Sequence, residues 1–180
     1  MKKLILIYGL IGGAIVSAMM LITMPMYKSG TFNFDNGELT GYTTMVIALS
    51  VIFFAVKSYR DKQSNGTITF WKGVQIGMLI TLIAGVMYAF TWEYLFADMG
   101  NEFMAMMTEA HMTELKAGGA TDADIQKARD EMAVNMEYYK NPLIRFPITI
   151  VEILPVGIII SILSAALLRR KEFLPATEQA

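Results

Sequence analysis

Four long apolar blocks, set apart by polar breaks, organise this 180-residue chain. The first, Leu4 to Met26, follows Met1-Lys2-Lys3. It is longer than the roughly 7–15 residues of a signal-peptide core and no small-x-small cleavage site follows, so it reads as an uncleaved membrane span. A polar loop, Tyr27 to Glu38, leads to a second and shortest block, about Leu39 to Val56. Lys57 to Lys62 returns the chain to water, Asn65-Gly66 is a turn dipeptide, and Thr69 is placed to cap a helix from Phe70. The third block runs from about Trp71 to Phe96, with Tyr88, Trp92, Tyr94 and Phe96 crowding its far end as an aromatic belt would. The fourth, Pro142 to Leu168, stops against Arg169, Arg170 and Lys171. A bilayer crossing needs roughly 20 apolar residues, so four spans are expected.

Between Asp98 and Asn141 the pattern changes to nine Asp and Glu against four Lys and Arg. Two amphipathic helices fit there, about Asp98–Ala117 and Asp122–Lys140, divided by Gly118-Gly119. Thr121 with Asp124 three residues on has the spacing of a capping box. Ile125, Ala128, Met132, Met136 and Tyr139 make one apolar stripe, and Phe103, Met107 and Ala110 another. The expected fold is all-α: a four-transmembrane-helix bundle with an extracytoplasmic helical hairpin between spans three and four. The divisions are 1–97 (spans one to three, with a cytoplasmic 57–69 loop), 98–141 (the acidic hairpin), 142–171 (span four with a basic cytoplasmic end) and 172–180 (a short tail).

Composition sharpens that picture. A hydrophobic share of 54% is too high for a soluble domain of this size. The chain has no cysteine, which excludes disulfides, thiolate metal sites and thiol redox chemistry. The basic residues sit at membrane boundaries and form no nucleic-acid surface. With the N-terminus inside, nine Lys and Arg face the cytoplasm and six the outside, most of the six in the long hairpin where the positive-inside rule is weakest. Both termini are therefore expected in the cytoplasm.

Helices in lipid gain little by burying more apolar surface, so close backbone contact must hold them together. Small residues recur at four-residue spacing: Gly9, Gly13 and Ser17 in span one, Gly73, Gly77, Thr81, Gly85 and Ala89 in span three, Gly157, Ser161 and Ala165 in span four. The stripe on span three predicts an intramolecular helix–helix contact.

Among chemically informative residues, Glu152 stands out. An acid inside a span costs on the order of 2.5–3.5 kcal/mol on insertion scales and calls for a partner or a proton. Pro155, three residues on, lacks the N–H that would satisfy the Val151 carbonyl and predicts a kink. Counting about 1.5 Å per residue puts Glu152 roughly 12 Å below the outer boundary, at the depth of Ser17, Ser50 and Tyr88. A polar cluster of these four is predicted. It reads either as a proton- or cation-handling site or as a hydrogen-bonded acid that fixes helix register; the lack of a second charge at that depth favours the latter. Glu93 and Arg145 are expected to pair at the outer boundary, an arrangement more often structural than functional. His111 shares a face with Met104 and Met107, but methionine is a general gap-filler and no metal site or cofactor is assigned. No nucleophile–base pair, phosphate-binding glycine loop or paired-carboxylate arrangement supports an enzyme.

Several stretches resemble domain-of-unknown-function family 4199, uncharacterised bacterial membrane proteins of Bacteroidota type. They are YGLIGGAIVSAMM, GYTTMVIALSVIFFAVKSYRDK, ITFWKGVQIGMLITLIAGVMYAFTW and EILPVGIIISILSAALLRRKE. Ser58 to Lys62 and the Glu152…Pro155-Val156-Gly157 run are the more specific marks. The resemblance implies a four-span protein of the inner membrane and brings no activity with it. A structural or interaction component of the bilayer, with a membrane or periplasmic protein partner, is the expected function; a small transporter or proton/cation-coupled component using Glu152 is the alternative.

Overall fold

The computed structural model describes residues 1–28, 34–170 and 173–174, the side chains at 28 and 34–38 excepted. Residues 29–33 of the expected 27–38 loop, the basic residue Lys171 and most of the tail lie outside the described residues, while 34–38 are already helical rather than loop. Among the described residues six helices follow one another: α1 (Lys2–Lys28), α2 (Phe34–Leu49), α3 (Val51–Gln63), α4 (Phe70–Ala117), α5 (Asp122–Tyr139) and α6 (Pro142–Leu168). Four helical stretches are long and apolar enough to cross a membrane: Lys2–Tyr27, Leu39–Gln63, Phe70–Ala117 and Pro142–Leu168.

The second span is two helices joined at Ser50. The Ile47 carbonyl accepts both the Ser50 amide, at 3.2 Å, and the Ser50 hydroxyl, at 2.6 Å. Such back-bonding by serine bends a helix locally. The segment also runs past the expected end at Val56, because Lys57 to Gln63 continue the helix beyond the apolar stretch.

A larger departure concerns α4. The sequence pattern divides span three from the first hairpin helix near Phe96, but α4 is one helix of 48 residues. At 1.5 Å per residue it is about 72 Å long, more than twice a bilayer's hydrocarbon thickness. A change of solvent does not end a helix; only a break in backbone geometry does. Gly100 supplies none, since it packs beneath the Phe96 ring. Termination waits for Gly118-Gly119, where Gly119 takes φ +83° and Ala120 and Gly119 donate to the Leu115 and Lys116 carbonyls, both at 3.0 Å. This is a Schellman ending, which glycine alone adopts without strain.

From there Thr121 and Asp124 form the expected capping box at the start of α5. Helix α5 folds back along the outer part of α4, with Thr108 donating to Met136 Sδ at 3.4 Å and Arg129 facing Glu109 at 3.6 Å. Ile125, Ala128, Met132, Met136 and Tyr139 are its buried or half-buried positions, so that stripe faces inward as its spacing requires. On α4, however, the buried positions are Met104 and Met112, while Phe103, Met107 and Ala110 line a cavity. Asn141 caps α6 through the Leu143 amide at 3.0 Å, and Pro142 occupies the first turn where its missing N–H costs nothing.

Helix α4 is the centre of the bundle. Its small-residue face meets α6 and α3: a Cβ added to Gly73 would lie 2.7 Å from Ala165 Cβ, and one on Gly77 2.7 Å from Ser161 Cβ and 2.9 Å from Ile52 Cγ2. Gly157 of α6 answers in the other direction, its added Cβ falling 2.8 Å from Thr81 Cβ, and Gly85 would meet Ile153 at 3.0 Å. On the far side Gly9 and Gly13 of α1 would strike Ile83 at 2.8 Å and Met87 Sδ at 2.5 Å. The exposed aromatics Trp71 and Tyr94 lie about 34 Å apart along α4, close to a bilayer's hydrocarbon thickness.

Two outcomes test this packing. Gly77→Ala should lower stability in detergent by about 1–3 kcal/mol, the usual cost of overpacking, and Ser161→Gly in the same chain should recover part of the loss in a thermal-unfolding cycle. At the hairpin, the hydrogen bonds from Thr121 hold the Asp124 carboxyl below the ordinary carboxylate range. A group with a depressed folded value stabilises above its unfolded value and loses that contribution as pH falls through the folded one. First-turn amides of α5 should therefore gain hydrogen exchange below about pH 4, and Asp124→Asn should abolish that pH dependence.

Candidate functional site

The two halves of the second span, which meet at Ser50 with helical backbone angles, pack differently. Helix α3 fits against α4 and α6, burying Ile52, Ala55 and Val56 completely. Helix α2 touches α4 little, and the space it leaves opens into a cavity of about 600 Å³ on the hairpin side of the bundle. Its walls come from α1 (Val16, Met20), α2 (Thr44, Met45), α4 (Tyr88, Trp92, Phe103), α5 (Tyr139) and α6 (Glu152).

Glu152 lies at the edge of the buried face of α6. It is open to the cavity rather than sealed among the helices. The buried Tyr88 donates its hydroxyl to Glu152 Oε2 at 3.3 Å, joining α4 to α6 at this depth. Glu152 and Pro155 are both exposed beside the buried Ile153 and Val156, and α6 continues as one helix through both Pro147 and Pro155.

The predicted four-residue cluster is therefore only partly assembled. Ser17 meets Thr91 instead, their hydroxyl oxygens 2.8 Å apart, tying α1 to α4 one turn from Tyr88. Ser50 is exposed and its hydroxyl is used by its own helix, so it takes no part. Depth alone located these residues, and depth says nothing about which way each faces. Thr91 escaped notice because a threonine in an apolar run carries no distinguishing spacing.

Above the acid, Arg145 and Glu93 do meet. Arg145 Nε donates to Glu93 Oε1 at 2.9 Å and Nη2 donates to Oε2, a bidentate pair. Its Nη1 donates to the carbonyls of Tyr139 and Lys140 at 3.1 and 3.0 Å, the open C-terminal carbonyls of α5. The guanidinium stacks 3.7 Å above the Phe96 ring centre. Arg145 is only 4% exposed, so this is a buried pin joining α4, α5 and α6. Trp92 Nε1 donates to the Tyr139 hydroxyl at 2.9 Å alongside it.

At the opposite end a second buried arginine does the same work. Arg60, 1% exposed, donates through Nε to Asp61 at 2.7 Å and through Nη1 to the carbonyls of Leu168 at 3.4 Å and Phe173 at 2.8 Å. Its Nη2 donates to the Leu174 carbonyl. From the sequence it counted only as one more positive residue of the basic boundary. Lys57 completes the group, 2.6 Å from Asp61.

His111 is exposed, 3.9 Å from Glu114 at the far end of the cavity. Among the described residues no group of three or more His, Asp or Glu is placed to hold a metal ion.

Arg145→Met should destabilise the protein by about 3–5 kcal/mol, because it leaves a partly buried carboxylate unpaired. Arg145→Lys should fail to rescue it, since one ammonium cannot serve two carboxylate oxygens and two carbonyls together. Adding Glu93→Leu to Arg145→Met should recover part of the loss in thermal unfolding.

Comparison with known proteins found one family model, and it covers residues 7–170. No curated protein and no solved structure matched the chain. Most of the first span, the other three and the hairpin fall inside the matched range, and on that extent the chain belongs to the family described as Protein of unknown function (DUF4199).

Proposed function

We propose that this protein is a multi-pass component of a bacterial cytoplasmic membrane, with both ends inside, that acts by contact rather than catalysis. Its α4–α5 hairpin would be the docking element for a membrane or periplasmic protein. The Lys and Arg distribution supports the orientation, nine residues on the proposed inner side against six on the outer. The acidic hairpin, with nine carboxylates against four cations, supports a partner surface of positive charge.

One observation carries this reading: the outer arm and the centre of the bundle are the same uninterrupted helix, α4. A load placed on the hairpin is thereby transmitted to the Gly73–Gly85 face within the bilayer. A second reading, ion-coupled transport through Glu152, is favoured by the opening of that acid into the cavity.

A break in the arm separates the two. Asn101 is exposed on α4 just beyond the aromatic boundary. Asn101→Pro removes one helical hydrogen bond and costs about 3 kcal/mol locally. Copurification of partners from native membranes should fall several-fold in Asn101→Pro and stay unchanged in Asn101→Ala, with the spans still folded by protease protection. Partner recovery that ignores the break rejects the arm. Loss of flux in Glu152→Gln, with recovery of partners intact, would favour transport instead.

A further inference from the structure

The cavity holds a carboxylate with no counter-charge beside it among the described residues. Glu152 has a neutral phenol, Tyr88, as its hydrogen-bond partner at 3.3 Å, and no Lys or Arg is among the described residues that line the space. A carboxylate at membrane depth is costly alone and favours a positive neighbour. The surrounding surface has the character that a bulky cation would need. Tyr88, Trp92 and Tyr139 are among its lining residues, and aromatic rings attract cations that lie within about 6 Å of a ring face. Met20 and Met45 add polarizable thioethers that adapt to an irregular apolar shape. At about 600 Å³ the space falls within the roughly 300–1,000 Å³ of small-molecule sites.

We propose that this cavity binds an organic cation, an apolar body bearing one positive charge, with Glu152 as its counter-ion. Other ligand classes fit less well. A hard inorganic cation needs several converging oxygen ligands, and among the described residues no three His, Asp or Glu gather. An anion meets Glu152 and, at the far end, Glu114. A zwitterionic lipid headgroup would bring a phosphate for which the described lining offers no Lys or Arg. The remaining titratable groups among the described wall residues are Tyr27, Tyr42, Tyr88 and Tyr139, and His111, which lies beside Glu114. A diffuse, weakly hydrated charge is what one carboxylate in a cavity lined partly by aromatics can hold. The inference rests on the cavity and not on the hairpin, so either can fail without the other.

The test uses the full chain in phosphatidylcholine nanodiscs, titrated calorimetrically with tetraphenylphosphonium against empty nanodiscs. Saturable binding at one site per chain is expected. Glu152→Gln should weaken it at least tenfold, and Thr44→Trp, which fills the cavity while keeping the acid, should weaken it comparably. Tetraphenylborate, matched in shape and opposite in charge, should show no saturable binding. The proposal is overturned if tetraphenylphosphonium does not saturate, if both ions bind alike, or if Glu152→Gln binds as the parent does. Should Glu152→Gln lose its thermal transition, Thr44→Trp decides alone, and an unchanged affinity there overturns the proposal.

Discussion

Close approach of the α4 and α6 backbones is the constraint on which the other contacts depend. Inside a bilayer the lipid tails are as apolar as the side chains, so burial gives little preference for helix over lipid. What remains is dispersion between surfaces that fit, and its strength falls steeply with separation. Gly73 and Gly77 receive Ala165 and Ser161, and Gly157 receives Thr81, leaving no room for a β-carbon at any of the three. Helix α3 enters the same groove through Ile52 and Val56, and α1 closes on the opposite face through Gly9 and Gly13. The cost shows at Ser161, whose hydroxyl is fully buried against Gly77 without a hydrogen-bond partner.

With the middle of the bundle held by shape, its ends are held by charge. Arg145, near the start of α6, gathers Glu93 and the last carbonyls of α5. Arg60, on α3, gathers the carbonyl of Leu168 at the end of α6 and those of the turn beyond it. Helix ends expose unpaired carbonyls, and a planar guanidinium with five donors can satisfy several of them from one buried position. Helix α6 is thus fixed at both ends as well as along its length. That leaves α2, the first half of the second span, as the element least engaged with α4, and the cavity opens beside it.

This division explains why a polar site can exist in so apolar a bundle. Tyr88 and Glu152 project from the two helices most tightly clamped together, so their separation is set by close contacts such as Gly85 against Ile153, within about one turn of both. The opposite wall comes from α1 and α2, whose residues there are mainly methionine and threonine. A rigid acidic wall facing an adaptable one is an arrangement that can take guests of varied shape while keeping the charge in place.

Much of this was legible in the chain. Span number follows from apolar length against bilayer thickness, and α6 begins and ends where its proline and its arginines put it. The Thr121–Asp124 cap and the Gly118-Gly119 stop depend on local backbone chemistry, which sequence states directly. The glycine faces follow from helical period. By contrast, the continuity of α4 was hidden because hydropathy reports the surrounding medium and not the backbone. The partners of Ser17 and Ser50, the exposure of Pro155, the buried role of Arg60 and the cavity beside Glu152 depend on the rotation of each helix about its axis. One-dimensional spacing determines which residues share a face; only packing against the other helices decides what that face meets.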